Sequence, residues 1–356
     1  MSLLLQVIAG RTAVAAFGPR QWDQLMREVR GQRLESRISY LLEDRGLHGG
    51  CPLEAWEELC AQRYQPRFVQ AQMRLELRKL AKAAATAGSP MLLLKGAAYM
   101  LAGLPLARGR TFTDLDILVP RERLEEVEAS LLAAGWVHHN TDDYDQRYYR
   151  RWMHELPPMY HPDRGVLMDV HHSILPLTSR LTPDIESFWA ESVPLPMPSF
   201  RALCPEDMLL HSAAHLFQDG EISGQLPGLL DLHELIGSFA EQTGFWDRLL
   251  AHAERHQLGR PLYYALHFTS TLLGTQVPAG ALESARRFAP GPVNDRLMKL
   301  LVPRVLEPRY PAHRPAAFSA WLLYLRSHWL RMPPVLLASH LTRKALRRPS
   351  PSYQGN

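Results

Sequence analysis

The sequence predicts an α+β fold in which a small mixed β-sheet follows a helical region and precedes a helical domain. Three observations lead to this prediction. Apolar residues recur at helical spacing from Gln21 to Gly88, strand-like and helix-like segments alternate from Met91 to Leu175, and every periodic segment after Glu206 is helical. We therefore expect an N-terminal helical region at 1–88, an α/β core at 89–195 and a C-terminal helical domain at 205–348.

The clearest helix of the first region is the segment RFVQAQMRLELRKLAKAAATAG. Its length and its apolar spacing of three and four residues are typical of an amphipathic helix. Gly88 is expected to end it, because glycine readily adopts the backbone conformation that closes a helix. The stripe that should face the core consists of Phe68, Met73, Leu77, Leu80 and Ala84.

The α/β core is expected to alternate short strands and helices. A strand in MLLLK leads to a helix in GAAYMLAGL, a loop PLARGRTFT, a strand in DLDILV and a helix in RERLEEVEASLLAAGW after Pro120. Two more strands, RWMHELPPMY and GVLMDVHHSI, are joined by the turn-forming segment HPDRG. A proline-rich connector, 194–207, then leads to the helical segments EDMLLHSAAHLFQ, LPGLLDLHELIGSFA, FWDRLLAHAERH, RPLYYALHFTSTLLG and AAFSAWLLYLRSHWL.

Composition indicates a soluble, ordered chain. With 356 residues, 46% hydrophobic and 21% charged, it can bury a substantial core. Its 3 cysteines are too few for a disulfide framework and show no metal-binding spacing, which favours a reducing cytoplasm. Arg11 interrupts the apolar N-terminus, and the charge-free stretch 262–282 contains a proline and two glycines, so we expect no signal peptide and no transmembrane segment.

The charge balance is mildly basic, with a net charge of +4. This suits a phosphate-rich ligand but does not identify one. Residues 304–348 include nine basic residues but a single acidic residue, Glu307. We interpret this region as a solvated helix face and a loose tail, and a contact with nucleic acid or an anionic membrane is the alternative. The basic residues are Arg304, Arg309, Arg314, Arg326, Arg331, Arg343, Lys344, Arg347 and Arg348.

The strand DLDILV carries the first candidate site residues. Asp114 and Asp116 are two residues apart, so both carboxylates should point to one face of the strand while Leu115 and Ile117 enter the core. Neighbouring like charges repel, and a divalent cation such as Mg²⁺ relieves this when it binds carboxylates and substrate phosphates together. A water-exposed acidic strand edge is the structural alternative.

A second group of candidates surrounds the start of the helix GAAYMLAGL, which precedes this strand. Lys95 and Gly96 stand where a strand ends and a helix begins, a junction that can offer backbone N–H groups to an anion. Gly96 would allow close approach of a phosphate, and Lys95 would add a mobile positive charge. Arg110 precedes the paired aspartates and has a planar guanidinium suited to phosphate oxygens, although the nearby Arg108 could exchange roles with it.

Three segments in this order resemble a known family. The runs LLLKGAAYMLAG, RTFTDLDILV and VLMDVHHSI resemble an uncharacterised bacterial nucleotidyltransferase family of the DNA polymerase β-like superfamily. The resemblance covers roughly residues 65 to 240, and it implies a nucleotidyltransferase core. Lys95-Gly96 replaces the Gly-Ser pair of the wider superfamily, as it does in this family.

The resemblance also assigns roles to residues. Asp114, Asp116 and Asp169 would be catalytic and would bind two Mg²⁺ ions, and Lys95, Gly96, Arg110 and Thr113 would bind the nucleotide. His171 matches the histidine of the family and should share a strand face with Asp169. A structural role for Asp169, as a cap or an arginine partner, remains open.

The reaction implied is transfer of a nucleoside monophosphate from a nucleoside triphosphate to an unknown hydroxyl acceptor. The acceptor could be a small molecule, or a protein or tRNA as for toxin-type nucleotidyltransferases. A nucleotide-binding scaffold without catalysis is the alternative from another class, although the presence of all three carboxylates argues against it.

Histidines of the C-terminal domain are weaker candidates. His211 and His215 lie four residues apart on a predicted helix, but no glutamate follows His211 as in a zinc-protease motif. The family tends to place histidines here and an aspartate in the next helix, which Asp231 matches. We therefore expect His171, His211, His215 and Asp231 to line an acceptor cleft, with a packed helix as the alternative for His211 and His215.

Overall fold

The computed structural model describes residues 2–139, 142–218, 222–308 and 314–331. Within these ranges it confirms an α+β fold with one mixed sheet of seven strands. The N-terminal region is helical, as the sequence predicts, and its helices are α1 (Leu3–Ile8), α2 (Pro19–Gln32), α3 (Glu35–Asp44), α4 (Leu53–Ala61) and α5 (Tyr64–Ala87).

Helix α5 is the amphipathic helix that the sequence predicts. Met73, Leu77, Leu80 and Ala84 are buried, and Gly88 ends the helix in the left-handed conformation with φ +60°. Phe68 was expected on the same stripe but is 49% exposed. It lies near the beginning of the helix and stacks on Tyr64 instead of entering the core.

The sheet has seven strands, and β5, β2 and β1 are the three at its centre. Its order is β3-β4-β5-β2-β1-β7-β6, in which the pairs β2/β5 and β1/β7 are parallel and the other neighbours are antiparallel. The strands are β1 (Met91–Leu93), β2 (Asp114–Leu118), β3 (Val137–His138), β4 (Met159–His161), β5 (Val166–His171), β6 (Val193–Pro194) and β7 (Phe200–Ala202).

Four helices connect these strands, and seven helices of the described ranges follow the last strand. The connecting helices are α6 (Lys95–Leu101), α7 (Leu124–Ala133), α8 (Asp143–Trp152) and α9 (Ile185–Ala190). The segment RWMHELPPMY, predicted as one strand, instead contains the end of α8, a bend and the beginning of β4. The C-terminal helices are α10 (Pro205–Gln218), α11 (Leu226–Phe239), α12 (Phe245–Arg255), α13 (Gly259–Leu273), α14 (Ala279–Ala285), α15 (Pro292–Leu306) and α16 (Arg314–Arg331).

A single apolar core runs through the N-terminal helices, the sheet and the C-terminal helices. Helix α10 packs against α11, α12 and α13, while α1 packs against α13 and so joins the N-terminal helices to the C-terminal helices. The division into three domains stays a prediction, and β7 lies inside the segment that we predicted as a connector.

The C-terminal basic region is only partly described, because residues 309–313 and 332–348 lie outside the described ranges. Arg326 does not belong to a solvated face, since its guanidinium donates a hydrogen bond to the carbonyl of Phe217 at 3.1 Å. Among the helices in the described ranges, none combines the length and the apolar character needed to cross a membrane.

Candidate active site

The predicted carboxylates meet on one face of the sheet. Strands β2 and β5 are parallel neighbours, and their register places Asp116 beside Asp169. Because side chains alternate along a strand, Asp114, Asp116, Asp169 and His171 project to the same face. The residues between them, such as Leu115 and Val170, are buried on the other face, and this alternation fixes the direction of the acidic side chains.

Asp116 is the most enclosed of these carboxylates, with 3% of its surface exposed. Lys95 Nζ donates a hydrogen bond to Asp116 Oδ1 at 2.9 Å, and His171 Nε2 lies 3.1 Å from the same oxygen. Burial alone would raise the pKa of Asp116, but the charge of Lys95 and the contact with His171 outweigh it and hold the pKa well below its usual range. Asp116 is therefore ionised at neutral pH.

Asp169 lies in a different electrostatic environment. Burial and the neighbouring negative charge of Asp116 raise its pKa. One oxygen from each carboxylate and one ring nitrogen of His171 all lie within 4.8 Å of one another. Asp114 is partly exposed and begins β2, about 6.6 Å further along the strand from Asp116. Such crowding of like charges is what a divalent cation relieves, and carboxylate oxygens suit Mg²⁺.

His171 connects this group to a glutamate that the sequence did not identify. Its Nδ1 lies 3.2 Å from Glu155 Oε2, and its ring stacks on that of His154 with 5.3 Å between the centroids. Burial raises the pKa of Glu155 to about 7. Glu155 reaches the site through an isolated backbone bridge with His171, which forms across the bend after α8. No local motif predicts this pairing.

The junction between β1 and α6 has the predicted strand-to-helix geometry. Lys95 opens the helix with φ +45°, in the left-handed region that a lysine rarely adopts. A Cβ atom on Gly96 would lie 2.5 Å from Arg110 Nη1 and 2.6 Å from Phe112 Cγ. Glycine is therefore needed here to leave room for Arg110.

Arg110 belongs to a buried network of ion pairs. Its Nε donates a hydrogen bond to Asp231 Oδ2 at 2.9 Å, while Arg37 Nη1 donates one to Asp231 Oδ1 at 2.6 Å. Arg37 also contacts Glu234 at 2.9 Å. Burial would raise the pKa of Asp231, but the two guanidinium groups lower it below its usual range. Sequence reasoning missed Arg37, because its partners lie on α11, far along the chain.

A cleft of about 570 Å³ lies beside these groups. It is bounded by the N-terminal helices, by the β1–α6 junction and by α10 and α11. Within the described lining, four side chains are cationic, and Asp231 is the single carboxylate. The cleft is therefore suited to an anionic ligand. The cationic residues are Arg33, Arg37, Lys95 and Arg110.

The structure separates the other predicted residues. His215 and Asp231 line the cleft, whereas His171 faces Asp116. His211 is buried one turn before His215, and burial together with the charge of Lys95 holds its pKa well below its usual range. Thr113 is exposed directly before β2. The functional roles of all these residues stay predictions.

Comparison with known protein families gives a match over most of the chain. The model of a family described as an uncharacterised nucleotidyltransferase matches residues 18–274. This range includes all the candidate residues described above, and it ends at the C-terminus of α13. No curated protein and no solved structure matches the chain significantly.

Proposed function

The chain belongs to this family of uncharacterised nucleotidyltransferases, and from that premise we propose that it transfers a nucleoside monophosphate from a nucleoside triphosphate to a hydroxyl acceptor. The observation that carries the proposal is the pairing of Asp116 and Asp169 on adjacent parallel strands, next to a cationic cleft. The cleft volume of about 570 Å³ lies within the range of pockets that bind small molecules and cofactors.

The carboxylates would hold the metal ions of the reaction. Asp114, Asp116 and Asp169 share one sheet face, and Asp116 is ionised through its contacts with Lys95 and His171. Two magnesium ions bound by these residues would neutralise phosphate charge and make the acceptor hydroxyl more acidic. His171 would keep Asp116 oriented, because its other nitrogen is held near Glu155.

The cationic residues would bind the triphosphate. Lys95 both contacts Asp116 and lines the cleft, so it connects the carboxylates with the space for the ligand. Arg110 Nη1 is a buried donor that completes no hydrogen bond to any residue in the described part of the chain. A phosphate oxygen would satisfy this donor, and Lys95 and Arg110 would together stabilise the negative charge of the leaving pyrophosphate.

Asp169 would act as the base. It is more exposed than Asp116 and lies beside it on the same sheet face, so it is the carboxylate of this pair that an acceptor hydroxyl would reach more easily. The hydroxyl would give its proton to Asp169, its oxygen would form a bond to the α-phosphorus, and the bond to pyrophosphate would break.

The test is transfer of labelled nucleotide. Purified protein is incubated with each α-labelled nucleoside triphosphate, MgCl₂ and a cell extract, and the label is followed into protein, RNA and small molecules. We expect transfer by the wild type and a loss of at least about 100-fold in Asp116→Asn and Asp169→Asn. Asp163→Asn, at an exposed turn next to β5, is the matched control and should retain activity.

Two outcomes would contradict the proposal. Transfer that persists in Asp169→Asn would exclude Asp169 as base and ligand. Tight nucleotide binding by the wild type without transfer to any fraction would favour a nucleotide-binding scaffold. The fraction that carries the label distinguishes a small-molecule acceptor from a protein or RNA acceptor.

A further inference from the structure

A second cluster of polar side chains lies where the edge of the sheet meets the C-terminal helices. Cys204 follows β7, Asp207 lies in the first turn of α10, His252 is on α12 and Glu191 follows α9. One potential ligand atom from each residue lies within 4.8 Å of the others. Cys204, Asp207 and His252 are 7%, 1% and 5% exposed, so the cluster is buried except on the side of Glu191.

The distances between the potential ligand atoms of the three buried residues are close to those around a small bound cation. Cys204 Sγ lies 3.1 Å from Asp207 Oδ2 and 4.0 Å from His252 Nδ1, and His252 Nδ1 lies 2.8 Å from Asp207 Oδ1. Ligand atoms around a tetrahedral zinc ion are roughly 3.3–3.6 Å apart, given bond lengths of about 2.0–2.3 Å. Shifts of less than about 1 Å would bring the three atoms to these separations.

The hydrogen-bonding pattern points in the same direction. His252 Nε2 lies 3.0 Å from Glu191 Oε2, while Nδ1 faces Asp207. The carboxylate of Glu191 thus lies behind the imidazole at Nε2, which is the usual support of a metal-binding histidine, and Nδ1 is the ring nitrogen that faces the cluster.

His256 adds an unsatisfied group beside the cluster. It is 0% exposed, and its ring stacks on Phe188 with 4.1 Å between the centroids. Its Nε2 lies 3.2 Å from Asp207 Oδ1, yet neither ring nitrogen completes a hydrogen bond to a residue in the described ranges. Asp207 is thus surrounded by two imidazoles and a thiol, a polar set that an apolar interior does not otherwise need.

We propose that Cys204, Asp207 and His252 bind a divalent transition-metal ion of the zinc class, with Glu191 orienting His252. A sulfur, an imidazole nitrogen and a carboxylate oxygen suit zinc rather than magnesium. On binding, the Cys204 thiol becomes a thiolate and releases one proton to solvent. The ion would connect β7, α10 and α12, and its role is independent of the transfer reaction proposed above.

Cobalt substitution tests the site directly. Full-length protein without a histidine tag is stripped with a chelator and titrated with Co²⁺, and the thiolate-to-cobalt absorption band is recorded. Zn²⁺ affinity is then measured by competition with a chromophoric chelator. We expect the band in the wild type, its loss in Cys204→Ser, and about 10–100-fold weaker Zn²⁺ binding in Glu191→Gln.

Two controls separate this cluster from the other thiols and carboxylates. Cys60→Ser changes a cysteine on α4, and Asp169→Asn alters the Asp116–Asp169 group, so both should retain the cobalt band. A wild type without the band, or a band that persists in Cys204→Ser, would overturn the proposal and leave an ion-pair cluster only. If Cys204→Ser does not fold, unchanged Zn²⁺ affinity in Glu191→Gln would overturn it instead.

Discussion

Lys95 has an unusual backbone conformation, with φ +45°. A lysine in the left-handed region costs on the order of 1–3 kcal/mol, and such strain is retained where the surrounding structure requires it. Here the conformation opens α6 directly after β1 and brings Nζ to Asp116 Oδ1 at 2.9 Å. The strained conformation therefore places the ammonium group of Lys95 between the carboxylates and the cleft.

Gly96 allows a specific test at the residue scale. In Gly96→Ala the new Cβ would lie 2.5 Å from Arg110 Nη1, so Arg110 or Phe112 must move. We expect a loss of about 1–3 kcal/mol in the free energy of unfolding, measured by urea denaturation, and weaker nucleoside triphosphate binding. Gly237→Ala is the control, because nothing lies within 4 Å of its added Cβ and α11 should gain up to about 1 kcal/mol. Equal stability of the two variants would contradict this explanation.

The candidate residues differ in how far the sequence predicts them. Spacing alone predicts that Asp114 shares a face with Asp116, because that alternation is a property of any strand. The pairing of Asp116 with Asp169 was expected only from the family resemblance. Glu155 and Arg37 carry no local signal, since their contacts with His171 and Asp231 depend on the fold of distant segments.

The same contrast applies to secondary-structure elements. Long amphipathic helices such as α5, α10 and α11 were predicted because their apolar spacing repeats over several turns. Strands β3, β6 and β7 are two or three residues long and show no measurable periodicity. β7 forms because its backbone pairs with β1 and β6, and these pairings are a property of the assembled sheet.

The ion pair between α3 and α11 leads to a prediction at this scale. Arg37 and Asp231 have side chains that are 5% and 8% exposed, so Arg37→Leu leaves buried carboxylates with fewer partners. We expect a loss of about 3–5 kcal/mol in the free energy of unfolding. Arg30→Leu removes an exposed ion pair with the same 2.6 Å separation from its partner Glu58, and it should cost less than about 1 kcal/mol.

Urea denaturation of the two variants checks this prediction. The two arginines differ in burial and in the number of carboxylates that they contact, so the difference in unfolding free energy between Arg37→Leu and Arg30→Leu measures the cost of removing a buried guanidinium that pairs with both Asp231 and Glu234. Comparable losses in both variants would indicate that α3 and α11 are held together by apolar packing rather than by Arg37.

At the scale of the whole molecule, three regions of the chain form one cleft. Arg33 and Arg37 come from the N-terminal helices, Lys95 and Arg110 from the core, and Asp231 from the C-terminal helices. The continuous apolar core supports the same conclusion. The spacing of apolar residues predicted three regions, but it contained no information on how their surfaces meet, because that depends on contacts between distant segments.

Stability should depend on pH through His233, a histidine of α11 whose pKa is lowered in part by charges from the N-terminal region. His233 on α11 lies 2.7 Å from Thr275 Oγ1 in the segment after α13, and burial, with the charges of Arg45 and Arg37, lowers its pKa to about 4. Because its usual pKa is about 6.5, the unfolded chain gains a proton as the pH falls below that value while the folded chain does not. Stability is therefore fully present above pH 6.5 and is lost as the pH falls towards 4.

We expect the wild type to lose stability between pH 7 and pH 5, and His233→Gln to lose less by on the order of 1 kcal/mol. Glutamine retains a donor for Thr275 and cannot be protonated in this range, so the difference between the two pH profiles isolates His233. His48→Gln changes an exposed histidine and should follow the wild-type profile. Urea denaturation at the two pH values measures the effect. Identical profiles for the wild type and His233→Gln would show that protonation of His233 does not cause the loss of stability.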